Sequence, residues 1–140
     1  PVSSLQHLIA DLRNGTDEHD LTHLPEILAL HDLAMDPAAG TPEEFRNRSL
    51  QNYENRCLHQ HVFDTHLAAS LLDHCGFRIH SLTPVLPFHI VAWAQLPEPG
   101  NAADNSAFLY REAACYSSSP FASDRARRRG MLGWLSRFLG

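Results

Sequence analysis

The chain has 140 residues, 44% hydrophobic content and a formal net charge of −5 at pH 7. This length supports one domain with its own core, and the composition excludes disorder throughout. There is no run of eighteen apolar residues, and the first residues lack the basic and apolar regions of a signal peptide, so neither a spanning helix nor a secretion signal is expected. Three widely spaced cysteines argue against a disulfide framework and favour a cytoplasmic location.

Charge is distributed unevenly along the chain. All eleven basic residues are arginines, and from Asp124 onward five arginines and one aspartate give a local balance of +4. This leaves a formal net charge of −9 for residues 1–123. Because an acidic body repels nucleic acid, nucleic-acid binding is not expected, and the tail is a separate electrostatic feature.

Three helices are predicted in the first half of the chain. Leu5, Leu8, Ile9 and Leu12 recur at helical spacing and predict the first over residues 4–13, with Gly15 as its stop. The second carries Pro25 in its first turn and ends before residue 36. The third begins at Thr41, which caps the helix and forms a capping box with Glu44.

A fourth helix and two strands are predicted between residues 64 and 96. Asp64 or Thr65 caps the helix, Gly76 ends it, and its apolar face comprises Leu67, Ala68, Leu71, Leu72 and Cys75. Residues 78–83 and 89–96 read as strands joined by a proline-bounded turn at 84–87. The sequence therefore predicts an α+β fold with about four helices, a short antiparallel hairpin and an amphipathic C-terminal helix.

The order His-Val-Phe, a short cap, a leucine-rich helix, Gly-Phe and a strand pair resembles the last part of class I S-adenosylmethionine-dependent methyltransferases. In that family the helix is the final one, and the hairpin closes a mostly parallel sheet. The opening segment SSLQHLIADLRNGTDEHDLTHLPEIL is similar to the helical insert of a bacterial subgroup found with sugar and surface-polysaccharide genes. The shared pattern is a His-Leu pair, a short acidic stretch and a second histidine before a helix, and the resemblance covers residues 3–96.

The cofactor site of this family is missing from the pattern. It requires a glycine-rich turn after the first strand, whereas the first five glycines of this chain, at 15, 40, 76, 100 and 130, are too far apart for one. The resemblance therefore implies no cofactor-binding residues here and S-adenosylmethionine in a full-length parent.

The expected parts are a methyltransferase-like region at 1–96, a linker at 97–122 and a basic helix at 123–140. A missing N-terminal domain or a homodimer would cover the hairpin edge.

The ten histidines raise the question of a metal site. His59, His61, Asp64 and His66 superficially resemble a metallo-hydrolase pattern, but the spacing differs by one residue and the usual zinc motifs are absent, so no metal site is predicted. Two interpretations remain. The histidines are polar or half-buried surface residues, or, as the resemblance implies, His59 and His61 face an acceptor or act as a general base.

The tail SDRARRRGMLGWLSRFL, residues 123–139, predicts a basic amphipathic helix. Its predicted binding residues are Arg127, Arg128, Arg129, Trp134, Arg137 and Phe138. Such a helix either docks on its own domain or on a second copy, or lies on an anionic membrane surface as a peripheral anchor. The sequence thus supports two functions, the substrate-side and closing region of a methyltransferase acting on a sugar or glycan precursor, and a non-enzymatic interaction module that binds through its tail.

Overall fold

The computed structural model describes residues 2–87 and 89–129, which form an α+β fold in two compact units, Gln6–Val62 and the described residues of 2–5 and 63–129. The helices are α1 Leu5–Asn14, α2 Leu24–Leu30, α3 Pro42–Leu50, α4 Asn52–Asn55, α5 Thr65–His74, α6 Ser106–Leu109, α7 Ala114–Ser117 and α8 Ala122–Arg129. A 3-10 turn covers Pro37–Ala39, and the strands are β1 Arg78–Val85 and β2 His89–Gln95.

The described residues contain more helices than the four expected. The four predicted helices correspond to α1, α2, α3 and α5, and α8 covers the described residues of the segment predicted to form the tail helix. The additional helices α4, α6 and α7 have four residues each. A single helical turn is too short to produce a periodic apolar pattern, which is why the sequence did not indicate them.

Both predicted helix caps of α3 and α5 are confirmed. The Glu44 amide donates to Thr41 Oγ1 at 3.2 Å, and the Thr41 amide donates to Glu44 Oε2 at 2.7 Å, which is the predicted capping box. At the start of α5 the Leu67 amide donates to Asp64 Oδ1 at 2.7 Å, so Asp64 is the cap. These contacts satisfy amide groups that have no partner within the first helical turn.

The predicted stop of α5 is also confirmed, but its buried face is shifted. Gly76 has a φ of +78°, and the Phe77 amide donates back to the Leu72 carbonyl oxygen at 2.9 Å. Ala69 is completely buried, whereas Cys75 is exposed. The prediction that Cys75 is a core residue was wrong because α5 ends at His74, and the chain has left the helical path at the next residue.

The hairpin pairs β1 with β2 in antiparallel register from Arg78 opposite Gln95 to Val85 opposite His89. The register shifts between Ile79 and Ser81, so one extra residue is inserted on β1. This bulge allows Ile79 and Leu82 both to point into the core although three positions separate them. The strand β1 also extends through the predicted turn as far as Val85.

The core of the second unit lies between α5 and the hairpin. Ala69, Ile79 and Leu82 are its buried centre, and partly buried residues pack around them, namely Leu72, Ile90, Phe108, Leu109 and Cys115. The segment expected to be a linker contributes to this core. Tyr116 from α7 is 1% exposed, and its hydroxyl donates to the Phe108 carbonyl oxygen.

The Gln6–Val62 unit has few buried apolar residues, namely Leu24, Ala39 and Phe45. Aromatic contacts supplement them, since the His31 ring stacks on Phe45 with centroids 4.4 Å apart. Leu12, predicted on the apolar face of α1, is 83% exposed, and no residue of α1 is fully buried. The inner surface of this unit is therefore organised largely by polar and ring contacts.

Candidate functional site

Three histidines and one aspartate meet in the Gln6–Val62 unit. His7 and Asp11 are four residues apart on α1 and so lie on the same helical face, with 3.1 Å between His7 Nε2 and Asp11 Oδ2. His61 Nε2 lies 3.3 Å from the same oxygen. His23 Nε2 lies 3.0 Å from His7 Nε2. We call His7, Asp11, His23 and His61 the imidazole cluster.

Side-chain hydrogen bonds hold the two loops that carry His23 and His61. The Asn52 side chain, 2% exposed, donates to the Glu18 carbonyl oxygen at 3.2 Å and accepts from the Leu58 amide at 2.9 Å. The Gln60 side chain donates to the Asp20 carbonyl oxygen at 3.0 Å. These bonds fix the chain just before His61 beside the loop that leads to His23.

The three rings of the imidazole cluster contact each other edge to face. The His7 centroid lies 4.8 Å from that of His23 and 5.5 Å from that of His61. The rings of His23 and His61 are 6.2 Å apart. Packing of this kind restrains ring orientation without apolar side chains.

Within the imidazole cluster, burial and the neighbouring side chains change the pKa of His61. Burial lowers the pKa of His61, and positive charge on His7 or His23 would lower it further, while Asp11 acts in the opposite direction. Asp11 Oδ2 and His61 Nδ1 are buried and make no hydrogen bond with another described residue. The two imidazole nitrogens near Asp11 Oδ2 thus approach it closely without the alignment of a hydrogen bond.

The two histidines predicted to act together are in different environments. His61 belongs to the imidazole cluster, whereas His59 is exposed. Asp64 is the cap of α5, and His66 lies 3.2 Å from the Tyr116 hydroxyl, so neither joins the imidazole cluster. The catalytic role of His59 and His61 remains a prediction. The geometry favours His61, because it lies beside the Asp11 carboxylate.

His7, Asp11 and His23 were not selected as site residues from the sequence. The available signal was His-x-x-x-Asp, which places both side chains on one face of a predicted helix. That helix was instead interpreted from its apolar residues. His23 is the histidine before a helix in the pattern that resembles the bacterial subgroup, but its contact with His7 spans sixteen positions, so no local spacing indicates it.

A second polar cluster lies in the other unit, around the start of α8. Asp124 is fully buried and accepts hydrogen bonds from the Thr65 amide, at 3.2 Å, and from the hydroxyls of Thr65 and Ser119. Burial and the charge of nearby Arg127 lower the pKa of His66. Burial raises the pKa of Tyr116 well above its usual range. These groups bond mainly to one another and fix α8 against α5.

The predicted tail site falls partly beyond the described part of the chain. Arg127 is half-buried in α8, which also contains Arg128 and Arg129. Trp134, Arg137 and Phe138 lie outside the described residues. Within the residues that the structure covers, none of the helices combines the length and the apolar character that a membrane span requires.

No protein-family model, curated protein or solved structure matches this chain.

Proposed function

We propose that this chain is the substrate-side and closing region of an S-adenosylmethionine-dependent methyltransferase-like protein acting on a sugar or glycan precursor, and that it is not catalytic alone. The observation that carries the proposal is a capped helix followed by an antiparallel hairpin with only one covered face. In the family that the sequence resembles, the final helix is followed by a hairpin that completes a larger sheet.

The uncovered face of the hairpin supports this proposal. Ile79, Leu82 and Ile90 face the core, whereas Val91 and Trp93 point the other way and are 57% and 67% exposed. Two strands alone are marginally stable, and exposed apolar side chains on a sheet indicate a partner surface. We assign that surface to packing against a cofactor-binding half.

The two hairpin edges differ in a way that favours pairing through β2. Near the start of β1 the Ile79 amide donates to Asn105 Oδ1 at 2.8 Å, so this edge already has a side-chain partner. The described residues place no third strand beside β2. An unpaired strand edge is a template for another strand.

Reading the gene upstream of Pro1 tests the proposal first. A strand followed by a glycine-rich turn supports it, and its absence contradicts it. The encoded full-length protein should then bind S-adenosylmethionine in a calorimetric titration, whereas residues 1–140 alone should show no saturable binding. Trp93→Arg in the full-length protein should weaken that binding, while Leu30→Arg, at a similarly exposed apolar position in the other unit, should not.

The alternative function is an interaction module that uses the tail for a partner or an anionic membrane surface. It is favoured by the anchoring of α8 through Asp124, which holds the start of the arginine-rich segment at a fixed place on the unit. Flotation with anionic liposomes tests it. The chain of residues 1–140 should float with the liposomes, and a chain ending at Ser119 should not. Equal behaviour of the two would contradict membrane binding by the tail.

A further inference from the structure

We propose that the imidazole cluster is a binding site for a divalent transition-metal ion of the Zn²⁺ class, with His7 Nε2, Asp11 Oδ2 and His61 Nε2 as ligands. The inference rests on the Gln6–Val62 unit alone and is independent of any methyltransferase activity. Two histidines and one carboxylate are a recurrent ligand set for zinc and for non-haem iron.

The separations of the ligand atoms match a common coordination sphere. For metal–ligand bonds of about 2.0–2.2 Å, neighbouring ligand atoms lie about 3.3–3.5 Å apart in a tetrahedron and about 3.0 Å apart in an octahedron. Asp11 Oδ2 lies 3.1 Å from His7 Nε2 and 3.3 Å from His61 Nε2. All three atoms are within 4.8 Å of one another.

The directions of these groups support ligation over simple ion pairing. The buried Asp11 Oδ2 has imidazole nitrogens at 3.1 and 3.3 Å, yet neither makes a hydrogen bond to it. The absence of a hydrogen bond leaves the lone pairs of Asp11 Oδ2 available to a metal ion.

His23 is placed to supply a fourth ligand, because its Nε2 lies 3.0 Å from His7 Nε2. In the metal-free protein one of these two nitrogens donates to the other. Ligation of one ion by both nitrogens breaks this hydrogen bond, and the proton between them moves to Nδ1 of the ring that carried it, so no proton leaves either imidazole.

The scaffold around the cluster is suited to holding these ligands. His7 and Asp11 are fixed by the helical spacing of α1, which requires no loop ordering. Asn52 and Gln60 tie the loop and the extended segment that carry the other two ligands. Three nitrogen ligands favour zinc, iron or nickel over magnesium and calcium, which prefer oxygen.

The test is a chelator-competition titration of the metal-free full chain with zinc chloride. We expect one tight equivalent, with millimolar magnesium unable to displace it. Asp11→Asn and His61→Gln should each weaken zinc binding at least about 100-fold, the upper end of the effect of outer-shell substitutions. The matched control is His59→Gln, an exposed histidine in the same segment, which should bind as the wild type does.

Several outcomes would overturn the proposal. These are unchanged affinity in Asp11→Asn and His61→Gln, an equal loss in His59→Gln, or displacement by magnesium. If the ligand variants fail to fold, hydrogen exchange of the wild-type chain decides. Zinc should protect amides within residues 6–62 more than those within 65–95, and equal or absent protection contradicts the site. Visible absorption of bound Co²⁺, retained in His59→Gln, gives a second readout and reports the coordination geometry.

Discussion

The two units of this protein are stabilised by different kinds of contact. The second unit packs α5 on a hairpin around Ala69, Ile79 and Leu82. It also contains two buried polar side chains, Asn105 and Asp124, that form hydrogen bonds with distant segments. The Gln6–Val62 unit buries few large apolar side chains and relies on ring contacts and side-chain bonds to backbone. A unit with little apolar burial has more to gain from a bound ligand, because the ligand adds stability that the core does not supply.

The largest expected effect concerns the apolar core of the second unit. Ile79→Ala should lower the free energy of unfolding of that unit by about 4 kcal/mol, because it removes buried methyl groups and leaves a cavity. Val91→Ala on the outer face, 57% exposed, should change it by no more than about 0.5 kcal/mol. Urea denaturation measures both. Equal losses would contradict the assignment of the two hairpin faces.

A slightly smaller effect is expected for the buried side chain of Asn105. Asn105 donates to Asp73 and to the Phe77 carbonyl oxygen and accepts from the Ile79 amide. Asn105→Ala should cost about 3 kcal/mol, since it leaves buried backbone groups without partners. The neighbouring Asp104 is exposed, so Asp104→Ala is the control and should cost much less. A small loss for Asn105→Ala in urea denaturation would support the prediction that residues 97–122 are a linker.

In the Gln6–Val62 unit the corresponding test is the capping box of α3. Thr41→Ala should lower stability by about 1 kcal/mol, because the Glu44 amide loses its acceptor. Thr41→Ser keeps the hydroxyl and should restore most of the loss. Hydrogen exchange of α3 amides distinguishes a local effect from unfolding of the whole unit. Destabilisation confined to residues 63–129 would contradict the division into two units.

The smallest effect is a pH dependence in the second unit. The folded protein lowers the pKa of His66 below its ordinary value of 6.5, so the unfolded chain binds more protons at acidic pH. The stability contributed by neutral His66 is therefore present above about pH 6.5 and is lost as pH falls towards the folded pKa. Urea midpoints at pH 7.5 and 5.5 should differ less in His66→Gln than in wild type. The exposed His80→Gln should leave the difference unchanged.

Local features of the fold were predictable because they depend on neighbouring residues. The caps Thr41 and Asp64 and the left-handed Gly76 act within a few positions, where backbone stereochemistry and hydrogen-bonding groups decide the outcome. The predicted apolar face of α1 is half-buried except at Leu12, which is exposed. The spacing of that face gave no indication that His7 and Asp11, on the same helix, meet distant histidines.

By itself the sequence determined the α+β class, the helices α1, α2, α3 and α5, the hairpin and the separation of an acidic body from a basic tail. Only the tertiary structure decided which distant groups meet. Residues far apart in the chain meet at the bulge that turns Ile79 and Leu82 to one side, at the hydrogen bonds of Asn105 and Asp124, and in the imidazole cluster. Such contacts follow from how helices and loops pack, and periodicity along one chain segment carries no information about the partner that another segment will supply.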